Sequence, residues 1–487
     1  MHKEVEAMVL RGLEEIGVEG AVVTIVKDGE VLLSEGYGYA DRDKSIPMTT
    51  EYALPIGSSS KAFTATGVMM LASEGKLDID KPVREYMPRF SLDDPVARDV
   101  TARDLLCHRT GLPRHDLFWI TWPDIDRDDL VYNRQRYLKA NKTFRSKWEY
   151  SNHMFAAAGK LIEEISQKSW EDFTRERIFA PLGMNSSFFW QDDRSDIKQP
   201  VLYKDKDGKR VPCDSERVTA LGPAGSIRST IGDMAQWLKF NLAKGKAGEN
   251  ALLDEASFDQ LWKSNISYEL LPFKVPETIE MGYGLGWFID CYRGELRIDH
   301  GGNVSGATSG VCMLPKHNIG VTILTNQDSN VLTYAVTSMI HDLLLERKCD
   351  TDWISFYKDE FEKMKTQQHE QFDAMRVAVP DKPMTHEDKA YEGKYEHPGY
   401  GEISVSVSGQ GEHKLTLNMH GNTFPLVHMH YDVFRVEIHE MPIPVIFRID
   451  AKGDISSIDI HMEMSLPDMI SYKRVAEPGD EAKQEEK

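Results

Sequence analysis

The hydrophobic pattern of the chain changes period several times, and each change marks a predicted element. MHKEVEAMVLRGLEEIG spaces its apolar residues among charges as an amphipathic helix does. GAVVTIVKDGEVLLSEGYGYAD is apolar on both sides of Asp28-Gly29-Glu30, the signature of a β-hairpin. From Ala62 to Ala72 the residues are apolar almost all round, and Gly75 is a natural stop, so a helix buried inside a domain is predicted. Helical spacing continues through VTARDLLCHRTGL and HMFAAAGKLIEEISQKSWEDFTRERIFAPLGM, and recurs in TIGDMAQWLKFNLAKG and ALLDEASFDQLWKSN. Strand patterns return in YGLGWFIDCYRGELRIDHGG and SGVCMLPKHNIGVTILTNQD, and LTYAVTSMIHDLLLER closes the region as a helix. The order predicts an α+β fold, with a mostly antiparallel sheet built from both chain ends and a helical region inserted between.

A second pattern follows. DTDWISFYKDEFEKMKTQQHEQFDAMR reads as a charged helical connector, and Pro380 and Pro383 mark a boundary. Eight short alternating runs lie between Tyr391 and Val475, separated by Gly, Asp or Asn turns, and predict a small up-and-down antiparallel β-barrel. AEPGDEAKQEEK reads as a disordered acidic tail. The expected organisation is therefore 1–349, an α+β domain; 350–385, the connector; 386–475, the barrel; and 476–487, the tail.

Composition narrows the picture. A length of 487 residues implies more than one core. Hydrophobic residues at 41% and charged residues at 28% describe a soluble globular chain, and a net charge of −20 argues against nucleic acid or an anionic membrane as partner. No apolar window is long enough for a membrane span and the N-terminus is not a signal sequence, so a cytoplasmic location is expected. Cys107, Cys213, Cys291, Cys312 and Cys349 are scattered and read as buried free thiols. Without HExxH or clustered cysteines, no metal or cofactor is expected. His428 and His430 flank Met429 on one strand face and read as barrel polarity rather than as ligands.

Candidate chemistry starts at Ser58-Ser59-Ser60-Lys61. A serine three residues before a lysine, at a helix start, places an amine beside a hydroxyl at the electropositive helix end. Ser73/Lys76, Ser195/Lys198 and Ser355/Lys358 share that spacing, but only Ser58/Lys61 precedes a long apolar helix. Two other patterns could complete an acyl-transfer site. Tyr150-Ser151-Asn152 lies just ahead of a helix, and His300-Gly301-Gly302 lies between strand-like runs where small residues admit a substrate to the backbone.

These residues, in this order, resemble the serine β-lactamase and penicillin-binding-protein superfamily, in the class C-like branch of D-aminopeptidases, DD-peptidases and esterases (peptidase S12-like). The resemblance covers roughly residues 5 to 347. It rests on SxxK at Ser58/Lys61, YxN at Tyr150/Asn152 and HGG at His300, supported by RDLLCHRTGL, IFAPLGM and GPAGSIRSTIGDMAQWL. The last module resembles the lipocalin-like barrel appended to some members. The resemblance implies that Ser58 is the nucleophile and that Lys61 and Tyr150 share base duty, the Lys61 cation lowering the Tyr150 pKa. It implies an oxyanion hole of the Ser58 and Asn303 N–H groups, and substrate contacts from Asn152, His300, Gly301 and Gly302. His300 departs from the lysine of many penicillin-recognising members, so strong binding of penicillin carboxylates is not expected.

The expected function is a serine hydrolase working through an acyl-enzyme on small peptides, including D-residue peptides, with the barrel covering or narrowing the cleft. A carboxylesterase or weak β-lactamase is the alternative with the same site, and a sensor acylated without turnover is the alternative of another class. A short peptide or small molecule is the expected partner, and a homo-oligomer is left open.

Overall fold

The structure is a computed structural model that describes residues 1–93, 98–206, 208–269, 273–348, 350–407 and 414–476. The hairpin forms where its turn residues place it. Gly20–Lys27 pairs with Glu30–Asp41 around Asp28 and Gly29, at φ 52° and 83°. Two left-handed residues match the twist of the flanking strands, which is why Asp-Gly suits the position. The other edge of Gly20–Lys27 pairs antiparallel with Ile319–Thr325, from Ala21 opposite Thr325 to Lys27 opposite Ile319. Distant parts of the chain are thereby joined in one eight-stranded sheet. Its order is Thr278–Tyr283, Phe288–Tyr292, Glu295–Val304, Ala307–Leu314, Ile319–Thr325, Gly20–Lys27, Glu30–Asp41, Ile46–Pro47.

Alternation along Gly20–Lys27 decides which layer each side chain joins. Ala21, Val23 and Ile25 pack with Val5, Val9, Leu332, Val336 and Ile340 of the helices His2–Gly12 and Leu332–Leu344. Val22 and Val26 face the main core, with Trp237 and Leu238 of the helix Ile231–Leu242. The helix Ser60–Ser73 runs through that core, and every residue from Ser60 to Leu71 is buried. It crosses Asn152–Ser166 closely at Gly67, where a Cβ would lie 3.0 Å from Ile162 and 3.2 Å from Phe173.

The long helical run after His153 is broken rather than continuous. Gln167 turns left-handed at φ 59° to end the first helix, and Ser169 restarts the chain by accepting the Asp172 N–H at Trp170–Thr174. Local capping overrides the apolar periodicity there.

The C-terminal module is a nearly closed antiparallel barrel of nine strands, one more than the runs predict. Its order is Asn422–Pro425, Leu415–Met419, Gly401–Val407, Gly393–His397, Ile470–Arg474, Ile455–Ile460, Met441–Ile449, Val433–Ile438, Val427–His430. The run FPLVHMH supplies two strands, because the Leu426 N–H turns back to the Leu415 carbonyl after Pro425. The edge strand Asn422–Pro425 returns against Val433–Ile438. The ladder shifts register between His428 and His430, and His428 Nε2 bonds the Tyr431 carbonyl.

Cys107 and Cys312 are buried, whereas Cys213 and Cys291 are only partly so. Cys349 and all of the predicted tail after Ala476 lie outside the described residues. Among the described residues no helix is long and apolar enough to cross a membrane.

Candidate active site

Ser58 stands in a single 3-10 turn, Gly57–Ser59, one step before the buried helix rather than inside it. Three serines anchor that turn. Ser59 Oγ donates to the His300 carbonyl at 3.2 Å, Ser309 Oγ donates to the Ile56 carbonyl at 2.7 Å, and Ser60 Oγ accepts the Ile227 N–H at 3.2 Å. The strand Glu295–Val304 lies hard against it. A Cβ on Gly302 would fall 2.8 Å from Ser58 N, and one on Gly57 would fall 2.9 Å from Asn303 N. Glycine at both places lets the Ser58 and Asn303 amides approach each other, as a two-donor anion site requires.

Lys61 is fully buried. Its Nζ lies 3.0 Å from Ser58 Oγ, 2.8 Å from Asn152 Oδ1 and 2.9 Å from the Ala224 carbonyl. Burial pushes its pKa well below the usual lysine value. The Arg114 charge adds to this, and Asp116 opposes it. Ser58 Oγ, Asn152 Oδ1 and the Ala224 carbonyl each accept from Nζ, so three partners fix the amine beside the hydroxyl.

Tyr150 is placed by His108, a residue to which sequence reasoning gave no role. The Glu149 N–H donates to the His108 carbonyl at 2.8 Å and the Ser151 N–H donates to His108 Nδ1 at 3.1 Å. The His108 ring lies 4.3 Å from the Tyr150 ring. The Tyr150 phenol contacts the Ser58 hydroxyl, and burial pushes its pKa up to about 12 against the opposing pull of Arg114 and of that hydrogen bond. The expected lowering by a Lys61 cation is therefore absent. Tyr150 keeps its proton, and the positive charge that acts on it belongs to Arg114, whose guanidinium stacks 4.9 Å from the ring centre.

Asn152 is oriented from behind. Its Nδ2 donates to Asp116 Oδ1 at 3.0 Å, and Asp116 also accepts from Trp119 at 2.9 Å and pairs with Arg114 at 2.5 Å. Neither Arg114 nor Asp116 carries a motif that the sequence flags.

His300 lines the cavity, but both of its ring nitrogens are taken. Nδ1 donates to the Gly301 carbonyl at 2.6 Å, and Nε2 accepts from Tyr283 Oη at 2.9 Å. Burial, with Lys61 nearby, drives its pKa down to about 3, so it is neutral. Its ring bonds brace the strand that carries Gly301, Gly302 and Asn303, while the residue itself lines the cavity.

The cavity in front of Ser58 measures about 670 Å³, within the usual range for small-molecule sites. Its far wall is apolar: Phe273, Tyr334, and Tyr357, Phe361 and Met364 of the helix Trp353–Arg376. The stretch expected to be a bare connector thus forms part of the site. The barrel does not: among the described residues, none beyond Met364 lines the cavity. The expected covering of the cleft by the barrel is replaced by a wall from the helix before it, since the barrel seats on the helical region, with His420 stacked 3.8 Å from Trp122.

Comparison with known proteins bears on the fold and the family. The Beta-lactamase family model matches residues 5–340, and a Domain of unknown function (DUF3471) matches residues 377–471. An unguisins hydrolase of Aspergillus campestris is 26% identical over 95% of this chain and 89% of its own length. A penicillin-binding protein homologue from Pyrococcus abyssi, described as octameric, superposes with a TM-score of 0.59 at 24% identity, covering 97% of this chain and 99% of its own. D-amino acid amidase from Ochrobactrum anthropi superposes with a TM-score of 0.58 at 24% identity, over 70% of this chain and 98% of its own. The α+β fold, the order of the motifs and the family match converge: the chain belongs to the Beta-lactamase family, in the β-lactamase and penicillin-binding-protein superfamily.

Proposed function

We propose that the protein is a serine hydrolase that forms an acyl-enzyme on Ser58 and cleaves amide bonds of small peptides, D-residue peptides among them. The observation that carries this reading is the buried Lys61 Nζ 3.0 Å from Ser58 Oγ, held there by Asn152 Oδ1 and the Ala224 carbonyl. Lys61 takes the Ser58 proton as the oxygen attacks the acyl carbon, and the Ser58 and Asn303 N–H groups receive the developing oxyanion. Tyr150, still protonated, donates to the leaving nitrogen, and the proton held on Lys61 restores it. In the second half, water attacks the ester carbonyl as Lys61 takes one of its protons, and the same proton passes to Ser58 Oγ as the acyl–oxygen bond breaks and the acid is released.

An amine leaves poorly without a proton, so a phenol held at about 12 beside the nucleophile suits an amide better than an ester. A hydrolase of unguisins and a D-amino acid amidase among the relatives support the same class. The neutral, enclosed His300 offers no fixed cation for a penicillin carboxylate.

Matched p-nitroanilide and p-nitrophenyl substrates test the reading. Turnover of anilides by the wild type, abolished by Ser58→Ala, is expected. Hydrolysis of esters alone would make it a carboxylesterase, and an adduct on Ser58 that never clears by intact mass would make it an acylated sensor. Full activity in Ser58→Ala would discard the mechanism.

A further inference from the structure

Among the described residues the barrel lines no part of the cavity, yet it reaches the loop that sets the site. His115 is buried and sits at φ 45°, a left-handed conformation costly for a residue with a Cβ. Such a conformation persists only where its surroundings hold it, and most of the hold comes from the barrel. The His115 N–H donates to Glu463 Oε2 at 2.6 Å. His115 Nε2 donates to the Lys139 carbonyl at 2.9 Å, which leaves Nδ1 as an acceptor for the Tyr400 hydroxyl at 2.6 Å. Tyr400 and Glu463 are themselves buried, and Tyr400 packs on Phe118 at 5.4 Å.

The residues on either side of His115 are Arg114 and Asp116. Arg114 lies over Tyr150, and Asp116 holds Asn152, which in turn accepts from Lys61 beside Ser58. An unbroken series of contacts therefore joins the second module to the nucleophile.

We propose that the barrel acts as a clamp on the catalytic loop, with Tyr400 and Glu463 as positioning residues that fix His115 and thereby the Arg114–Asp116 pair beside Lys61. This rests on the serine-hydrolase reading of Ser58. With the clamp released, Asn152 loses its fixed partner Asp116, and Lys61 Nζ is no longer held in place beside Ser58. Lys61 faces Arg114, Asp116, Tyr150, His108 and His300. Of the two loop charges, Arg114 acts on it more strongly, so a displaced loop lets Lys61 hold its proton to higher pH.

The test is the rate at which a fluorophosphonate labels Ser58 in the full-length protein, followed by intact mass across pH. Tyr400→Phe keeps the ring on Phe118 and removes only the donor to His115. It is expected to slow labelling about ten- to hundred-fold, the cost of a misplaced catalytic group, and to move the acid limb to higher pH. Glu463→Ala should do the same, whereas Glu463→Gln, whose amide oxygen still accepts the His115 N–H, should restore the rate. Asn422→Ala cuts a different barrel contact, the one to the Thr121 carbonyl at the far end of the short helix Asp116–Thr121 that follows His115, and should label as the wild type does. Melting curves show which variants fold.

The clamp is overturned if folded Tyr400→Phe and Glu463→Ala label at the wild-type rate with an unmoved profile. It is overturned equally if Asn422→Ala slows labelling as much as they do, since the barrel would then only stiffen the fold. If wild-type Ser58 does not label at all, the hydrolase reading itself falls and the clamp falls with it.

Discussion

Arg114 and Asp116 act on the same buried amine with opposite signs, and this makes the proton state of Lys61 measurable. Lys61 Nζ and the Arg114 guanidinium lie 4.8 and 4.9 Å from the centre of one Tyr150 ring, so no more than about 10 Å separates them. Two unit charges at that distance interact by about 1.7 kcal/mol at an effective dielectric constant of 20. The Arg114 side chain is 53% exposed, and solvent screening roughly halves this to about 0.8 kcal/mol, or about 0.6 of a pH unit. Arg114 disfavours the lysine cation, so its removal raises the Lys61 pKa. The carboxylate of Asp116, then left without its ion pair, pulls in the same direction.

Arg114→Gln is therefore expected to move the acid limb of kcat/KM up by about half a pH unit or more, and Asp116→Asn, which keeps an acceptor for Asn152, to move it down. Because Arg114 is exposed, 0.5 M salt should shrink the first shift. The assay is the pH profile of anilide hydrolysis or of Ser58 labelling, each at low and high salt. Shifts of the same sign in both variants, or a downward shift in Arg114→Gln, would refute the assignment. A wild-type rate that rises only towards pH 12 would instead identify Tyr150 as the base.

Three further outcomes follow from the same contacts. His153, His300 and His341 are each held by burial near pKa 3, so between about pH 6.5 and 3 the unfolded chain binds more protons. Stability should fall with falling pH through that window by up to about 1.4 kcal/mol per unit per histidine; His341→Leu, replacing a ring whose nitrogens have no hydrogen-bond partner among the described residues, should flatten Tm against pH, and an unchanged slope would contradict this. Tyr357→Ala, in the apolar wall, should raise the preference for bulky over small acyl groups in matched p-nitroanilides by about tenfold or more, and equal preference would remove that wall from specificity. His300→Lys breaks the bonds to Tyr283 and Gly301 and brings an ammonium towards Lys61. It should lose about 2–4 kcal/mol of stability with no gain in Ser58 acylation by a β-lactam, and faster acylation by intact mass would show that lysine alone confers penicillin recognition.

Ser58, Lys61, Tyr150, Asn152 and the stretch from His300 to Asn303 are legible in the chain because each is marked by a short local pattern; the structure places Ser58, Tyr150 and His300 to Asn303 on one cavity, with Lys61 bonded to Ser58 and Asn152 to Lys61 behind it. The hairpin is legible for the same reason, since Asp28-Gly29 states its own turn. The proton states of Lys61 and Tyr150 are not legible. They depend on how deeply each is buried and on Arg114 and Asp116, which arrive from a loop without periodicity and are held by a distant module. His108 escapes notice because its work is done through its backbone carbonyl and one ring nitrogen.

The helix Trp353–Arg376 is the instructive miss. Its charges read as a solvated connector, yet Tyr357, Phe361 and Met364 fall at i, i+4 and i+7, the spacing of a single helical face. An apolar stripe on an otherwise charged helix requires something to cover it. Here Trp353, Ile354 and Tyr357 pack beside Tyr292, Val331 and Ala335, while the stripe continues past them to the cavity. Periodicity thus announces that a face is partnered without naming the partner, and in this chain the stripe ends on the cavity in front of Ser58.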